Sequence, residues 1–185
     1  NELMTRYPQL RLLRNPLPDY GLALRNGIKS SKATYILCDE IDICDVSFYS
    51  NALEKLVPGD AEMVVGSKAL KSSNDQRPLF RRFATFVINL LLRIFLGFKG
   101  TDTHGLKAFR RENLVGTIDR CVVNRDLFAS ELVIRAQREQ IKVVEVPIVI
   151  EEKRPPSINL VSRVPHVLKN LAQLFWVIRI KGDKS

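Results

Sequence analysis

An apolar run that stops in a cluster of acids limits this chain more than any other feature. Tyr35-Ile36-Leu37-Cys38 is followed at once by Asp39, Glu40, Asp42 and Asp45. A short apolar run bounded by polar residues predicts a buried strand, here over 34–38. Residues 48–57 carry Phe48, Leu53, Leu56 and Val57 in amphipathic spacing, and Pro58-Gly59 stops that helix. Residues 61–66 predict the next strand. Strand, acidic loop, helix and strand in this order are the pattern of an α/β fold. Ligands of open α/β sheets bind beyond the carboxyl ends of the strands, which is where these acids fall. Carboxylates so crowded repel one another unless a cation lies among them. A hard divalent ion, Mg²⁺ or Mn²⁺, held by one or two carboxylates together with substrate phosphates, suits that need. A polar loop of solvated acids with a helix N-cap is the plainer alternative.

The rest of the chain continues the alternation. Residues 1–7 read as the end of a helix, 10–14 as a short strand, 15–19 as a loop whose two prolines forbid regular structure, and 20–31 as a helix. Residues 71–78 form a polar loop. Residues 79–96 are apolar on nearly every side and broken by Arg81, Arg82 and Arg93. That stretch is too short and too charged for a membrane span of about twenty apolar residues. A helix apolar nearly all round either packs in a core or faces lipid. Arg77, Arg81 and Arg82 at its start suit a helix lying in a membrane interface, and both readings stand. Residues 100–109 turn into a strand, 110–118 form a short helix, and 127–139 form a helix with Leu127, Leu132, Val133 and Ala136 inward. Residues 141–150 predict a long β-branched strand, interrupted by Pro147 as at an edge or bulge. A last helix, 160–180, carries Arg163, Lys169, Arg179 and Trp176, with Lys181 just beyond, and fits an anionic membrane surface.

Composition narrows the partners. A chain of 185 residues with 45% hydrophobic content suits one domain with a sizeable core, and 26% charged residues argue against disorder. The net charge of +9 favours anionic partners: a sugar nucleotide, a phospholipid surface or nucleic acid. The basic residues flank apolar helices instead of interleaving with exposed aromatics, which disfavours nucleic acid. Three dispersed cysteines do not make a disulfide framework. Cys121 and the two histidines lack zinc-ligand spacing. The expected location is the reducing, cytoplasmic face of a membrane, bound peripherally.

Several motifs stand in a fixed order. Glu40-Ile41-Asp42-Ile43-Cys44-Asp45 resembles the Asp-x-Asp region of the family-two glycosyltransferases, in particular the polyprenyl-phosphate sugar synthases such as dolichyl-phosphate mannose and glucose synthases. Asp19, Ala23 and Gly27 are similar to that family's Gly-x-x-x-Ala-x-x-x-Gly helix entry. Gly66-Ser67-Lys68 matches its Gly-Ser-Arg strand end, and Thr101-Asp102-Thr103-His104-Gly105-Leu106-Lys107 its Asp-Thr-x-x-Gly-Phe-Arg/Lys segment. Ser130-Glu131-Leu132 and Val144-Glu145-Val146-Pro147 match its Glu-Leu helix and Glu-Val-Pro strand. The resemblance covers nearly the whole chain. It departs where Glu40 stands for Asp, where Lys68 replaces Arg and so loses the bidentate fork, and where Ile158 replaces Lys. The family's opening strand, helix and strand, which hold the nucleotide base, lie before the point where this sequence begins.

The resemblance implies a GT-A-like, Rossmann-like three-layer α/β sandwich with a mixed, mostly parallel sheet, incomplete at its N-terminus, over residues 1–150. Residues 151–185 would form a membrane-proximal amphipathic helix. It implies metal-dependent, inverting transfer of a hexose from a nucleotide sugar of the UDP-glucose or GDP-mannose type to a polyprenyl phosphate. Glu40, Asp42 and Asp45 would make up the metal site for Mg²⁺ or Mn²⁺, with Asp42 the first ligand, Glu40 beside it and Asp45 supporting them. Asp42, Asp102 and Lys107 would be catalytic. Lys68, His104, Lys153, Arg154 and Ser157 would bind substrate. Lacking the nucleotide-binding start, this stretch alone is expected to be poorly active and marginally stable. A non-catalytic module that binds membrane surfaces is the alternative, and a homo-oligomer is left open.

Overall fold

The computed structural model describes residues 2–40, 43–124, 127–150 and 160–182. A short helix α1 (Glu2–Arg6) precedes α2 (Tyr20–Ser30), and then β1 (Tyr35–Cys38), α3 (Val46–Leu56), β2 (Met63–Ser67) and a two-residue β3 (Asn74–Asp75) follow. After α4 (Leu79–Leu91) and a π-helical turn, Leu92–Leu96, come β4 (Lys107–Arg110), α5 (Arg111–Arg120) and α6 (Phe128–Arg138). The chain continues through β5 (Val143–Pro147), β6 (Val149–Ile150) and α7 (Leu160–Phe175), and a second π-helical turn, Trp176–Ile180, closes it.

Local chemistry sets the helix ends. The Asp19 carboxylate caps α2 by accepting the Leu22 N–H at 2.9 Å, and Asp45 caps α3 by accepting the Ser47 N–H at 3.0 Å. Such caps satisfy first-turn N–H groups that have no partner within the helix. Gly97, with φ +73°, ends the first π-helical turn in the left-handed conformation that glycine adopts without strain.

The main sheet has the order β1-β4-β2-β5. β4 runs antiparallel to both β1 and β2, and β2 runs parallel to β5, so three of the four strands point one way. This is the mixed, mostly parallel sheet expected. Period-two alternation divides its side chains between two cores. Met63, Val65 and Phe109 face one layer, with Ile28, Leu92, Leu114, Leu132 and Leu174. Val64, Ala108 and Val146 face the other, where Phe48, Ala52 and Leu56 of α3 are fully buried. Helices cover both faces, giving three layers.

Four sequence expectations change. Residues 10–14 form no strand: Leu10, Leu12 and Leu13 are exposed, and no described strand pairs with them. β1 is only half-buried, since it lies at the end of the sheet order with Ile36 alone enclosed. The stretch 141–150 divides at Ile148: β5 stays on the main sheet through Pro147, and β6 pairs with β3 in a separate two-stranded ribbon. In α6, every residue from Phe128 to Ala136 is buried, including Glu131 and Arg135. The helix fills the space between α5 and the sheet, so no face of that stretch is left for solvent.

Candidate functional site

The carboxyl ends of β1 and β2 lie side by side because the first residue of β4 links them. Lys107 is in register with Cys38 of β1 and with Val65 of β2. Antiparallel β4 therefore brings the loop before it, residues 99–106, across both strand ends. Gly105 makes the crossing feasible. A Cβ there would lie 1.5 Å from the Gly66 carbonyl oxygen, so only glycine fits.

Four groups converge at this place. Asp102 is completely buried, and its Oδ2 pairs with Lys68 Nζ at 3.2 Å while its Oδ1 accepts the His104 N–H at 3.0 Å. Burial would raise the Asp102 pKa, but the Lys68 ammonium, the His104 N–H and the His104 charge outweigh it and hold the carboxyl below its ordinary value. His104 Nδ1 lies 3.0 Å from the Thr103 hydroxyl, which in turn lies 2.8 Å from the Ser130 hydroxyl at the start of α6. Lys107 is enclosed, and its Nζ donates to the Gly105 carbonyl at 2.7 Å. Burial lowers its pKa against the opposing pull of Cys38, Glu40 and Asp102. The Cys38 thiol is pushed up to about 11, chiefly by burial, with Lys107 pulling the other way. It is a neutral wall of the site at physiological pH.

The acidic loop divides its labour. Glu40 follows β1 directly, and its carboxylate accepts the Tyr20 hydroxyl at 3.2 Å. The Asp39 carboxylate accepts the Tyr49 hydroxyl, a structural tie to α3. That bond is the main cause that pushes the Tyr49 hydroxyl up to about 12. Asp45 has both oxygens engaged, one by Ser47 and the other by the Val149 N–H at 3.1 Å. Burial would raise its pKa, but the Ser47 hydroxyl and the Val149, Phe48 and Ser47 amides lower it on balance. Asp45 thus supports the loop and ties it to β6. Asp42, Lys153, Arg154 and Ser157 lie outside the described residues. Among those described, no group of three or more His, Cys, Asp and Glu side chains forms a metal cage.

From sequence, Asp102 organises the loop or serves the acceptor, and Lys107 holds a donor or acceptor phosphate. In the fold both are enclosed, Asp102 paired with Lys68 and Lys107 bonded to the Gly105 carbonyl. Sequence reasoning gave no site role to Thr101 of this loop or to Glu145, Ser67, Asn89 and Arg93, which bind it. Two signals were available: a lone carboxylate within a β-branched strand, and an amide inside an otherwise apolar helix.

The fold is the mixed α/β sandwich of GT-A proteins. Glucosyl-3-phosphoglycerate synthase from Mycobacterium tuberculosis, crystallised with Mn²⁺, UDP-glucose and phosphoglyceric acid, shares this fold with a TM-score of 0.57 at 12% identity, over 94% of this chain and 58% of that one. In sequence, the chain is 24% identical over 163 residues to glycosyltransferase AglD of Haloferax volcanii, spanning 87% of this chain and 26% of the relative. It is 27% identical over an alignment of 203 positions to dolichyl-phosphate beta-glucosyltransferase ALG5C of Trichomonas vaginalis, spanning 98% of this chain and 60% of the relative. In sequence the chain is thus similar to glycosyltransferases, a dolichyl-phosphate glucosyltransferase among them. It covers between 26% and 60% of the length of these two relatives. No family model matches it.

Proposed function

We propose that the protein transfers a hexose from a nucleotide sugar to a polyprenyl phosphate, with inversion. The observation that carries this reading is the Lys68 ammonium. It is held at the end of β2 by fully buried Asp102, across β4 from the acidic end of β1. A cation fixed at a strand end suits phosphate binding, and the matched relative ALG5C bears the name of a dolichyl-phosphate glucosyltransferase. An acceptor phosphate is already ionised at neutral pH, so its oxygen attacks the anomeric carbon without a strong general base. The bond from that carbon to the diphosphate oxygen breaks on the opposite face, and the nucleoside diphosphate leaves with the electron pair. Lys68 stabilises the charge that develops on the phosphates, and His104 lines the sugar or phosphate path. Asp102 and Lys107 fix these groups, so that catalysis rests on positioning and preorganised charge.

The donor set fits a hard cation. Glu40 offers carboxylate oxygens at the end of β1, and Mg²⁺ or Mn²⁺ takes one or two carboxylates plus substrate phosphates. Glu40 and Asp42 would hold it, with Asp45 bracing the loop. The metal supplies Lewis-acid neutralisation of the donor diphosphate. Glucosyl or mannosyl transfer from UDP-glucose or GDP-mannose to dolichyl phosphate should be measurable with Mn²⁺ or Mg²⁺ and abolished by EDTA. Absence of transfer from both donors in the presence of metal would overturn the reading.

The acceptor is a lipid, and the surface suits one. No helix among the described residues is long and apolar enough to cross a membrane. Yet α4 exposes Leu79, Phe80, Phe83 and Phe86, and its π-helical extension exposes Ile94. The extension packs against the end of α7 by a T-shaped contact of Phe95 with Phe175, and the second π-helical turn exposes Trp176 and Ile180. Exposed apolar faces of this size suit burial in a headgroup layer. Arg77 does not contribute to lipid contact as expected from sequence, because its guanidinium grips Asp75 with two bonds of 2.8 Å. Exposed Arg82 remains at that helix end. The protein should float with vesicles containing anionic lipid, and Phe80→Ser/Phe83→Ser should reduce the bound fraction at least fivefold. Equal flotation of wild type and variant would remove α4 from the contact.

A further inference from the structure

Every described hydrogen bond that shapes the turn Gly100-Thr101-Asp102 converges on few partners. Glu145 of β5 stands beside Val65 of β2 in parallel register. Its Oε1 accepts the Thr101 N–H at 2.6 Å and the Asp102 N–H at 3.2 Å, and its Oε2 accepts the Thr101 hydroxyl at 2.7 Å. The Ser67 hydroxyl lies 2.7 Å from the Thr101 hydroxyl and accepts the Ala69 N–H at 3.1 Å. Thr101 has one hydroxyl proton, and Glu145 takes it. The Ser67 proton must then go to Thr101. The chain therefore has one direction, from the end of β2 to the carboxylate on β5. A carboxylate accepts all three bonds, whereas an amide nitrogen facing Thr101 donates instead and reverses the hydroxyl chain. Gly100 lets the carboxylate approach, since a Cβ there would lie 2.4 Å from Glu145 Oε1.

The carbonyl side of the same turn is held by α4 and its extension. Asn89 Nδ2 donates to the Thr101 carbonyl at 2.8 Å, and Arg93 donates to the Gly100 carbonyl at 2.9 and 3.2 Å. The turn is thus clamped between sheet and helix. What it delivers is Asp102, whose buried carboxylate pairs with Lys68.

We propose that Glu145 is a positioning residue of the transfer site. Its carboxylate sets the Thr101–Asp102 turn and, through Asp102, aims the Lys68 ammonium. The proposal rests on the transfer reading above and deepens it.

Glu145→Gln, Asp102→Asn and the double variant should be assayed for hexosyl transfer. Amide exchange should be read by NMR on the same proteins. Glu145→Gln should lower kcat about 10–100-fold, the scale on which a small misplacement of a binding group acts. In the Asp102→Asn background it should cost less than about twofold more, because groups acting as one unit are non-additive. The Thr101 and Asp102 amides should lose protection while Leu132 and Val133 of α6 keep theirs. Losses that multiply in the double variant, or unchanged protection at both turn amides, would overturn the proposal. If wild type transfers no hexose, the transfer reading fails, and the amide arm alone decides whether Glu145 sets the turn. If Glu145→Gln also loses protection at Leu132, Thr101→Val takes its place. That variant keeps the carboxylate and breaks the hydroxyl chain. A kcat loss that vanishes in the Asp102→Asn background then supports the proposal, and an additive loss overturns it.

Discussion

Asp102→Asn is expected to slow hexosyl transfer about 100-fold, the usual cost of displacing a binding group by about 1 Å. The Asp102 carboxylate is completely buried, and one of its oxygens faces both the Lys68 ammonium and, at 3.4 Å, the Lys68 N–H. An asparagine keeps the bond from the His104 N–H through its carbonyl oxygen and turns an NH₂ toward Lys68. Donor then meets donor, and the ammonium swings away from the strand end. Lys68→Met should show a similar loss, and the double variant should lose little more than either alone. A double variant whose losses multiply would mean that Asp102 and Lys68 act separately. The pH dependence follows from the sign of the shift. The Asp102 pKa in the fold lies below the ordinary 3.8. The stability contributed by the pair is therefore fully present above pH 3.8 and is lost as pH falls through the lower folded value. Acid unfolding of Asp102→Asn should be less steep than that of wild type below about pH 4.

Glu131→Ala is expected to destabilise the fold by about 3–5 kcal/mol, the cost of breaking a buried ion pair from one side. Glu131 and Arg135 are one helical turn apart in α6, both buried, with Oε1 and Nε at 2.7 Å. The same carboxylate accepts the Val122 N–H at 2.9 Å and the Val123 N–H at 2.8 Å, which ties the segment after α5 to the helix. Alanine would leave a buried guanidinium without its counter-charge and two amides without an acceptor. The melting temperature should fall by roughly 6–20 °C, at 2–4 °C per kcal/mol for a domain of this size. Replacing both residues with apolar side chains, Glu131→Leu/Arg135→Met, should recover part of the loss, because the pair's desolvation cost disappears with it. Calorimetric melts of the three proteins are the measurement. A double variant less stable than Glu131→Ala would show that the pair stabilises the fold outright.

The contrast between Glu131 and Glu40 shows what a linear reading can and cannot reach. Glu40 belongs to a cluster of acids directly after an apolar run, and local order alone placed it at a strand end. Glu131 lies on a helix where a glutamate is ordinarily solvated. Only the enclosure of α6 by α5 and the sheet makes it a buried anchor. Residues 79–96 were legible as an apolar helix, but not whether that surface is covered. The fold leaves Phe80, Phe83 and Ile94 exposed and buries Asn89, which reaches the Thr101 carbonyl. Leu10, Leu12 and Leu13 have a strand's composition without a described strand to pair with. A strand depends on a neighbour's hydrogen bonds, and the neighbour is not a local property.

The sequence by itself determined the alternation of strands and helices and the acids after β1. Each of these depends on residues within a few positions of one another, through periodicity, side-chain reach or backbone freedom. The tertiary structure alone decided the rest. Antiparallel β4 sets Lys107 between Cys38 and Val65 and carries Asp102 to Lys68, 34 residues away in the chain. Parallel β5 brings Glu145 to Thr101 across 44 residues. Such pairings follow from strand order and register. No window of sequence contains them, because the hydrogen bonds that fix them join segments that meet only when the sheet closes.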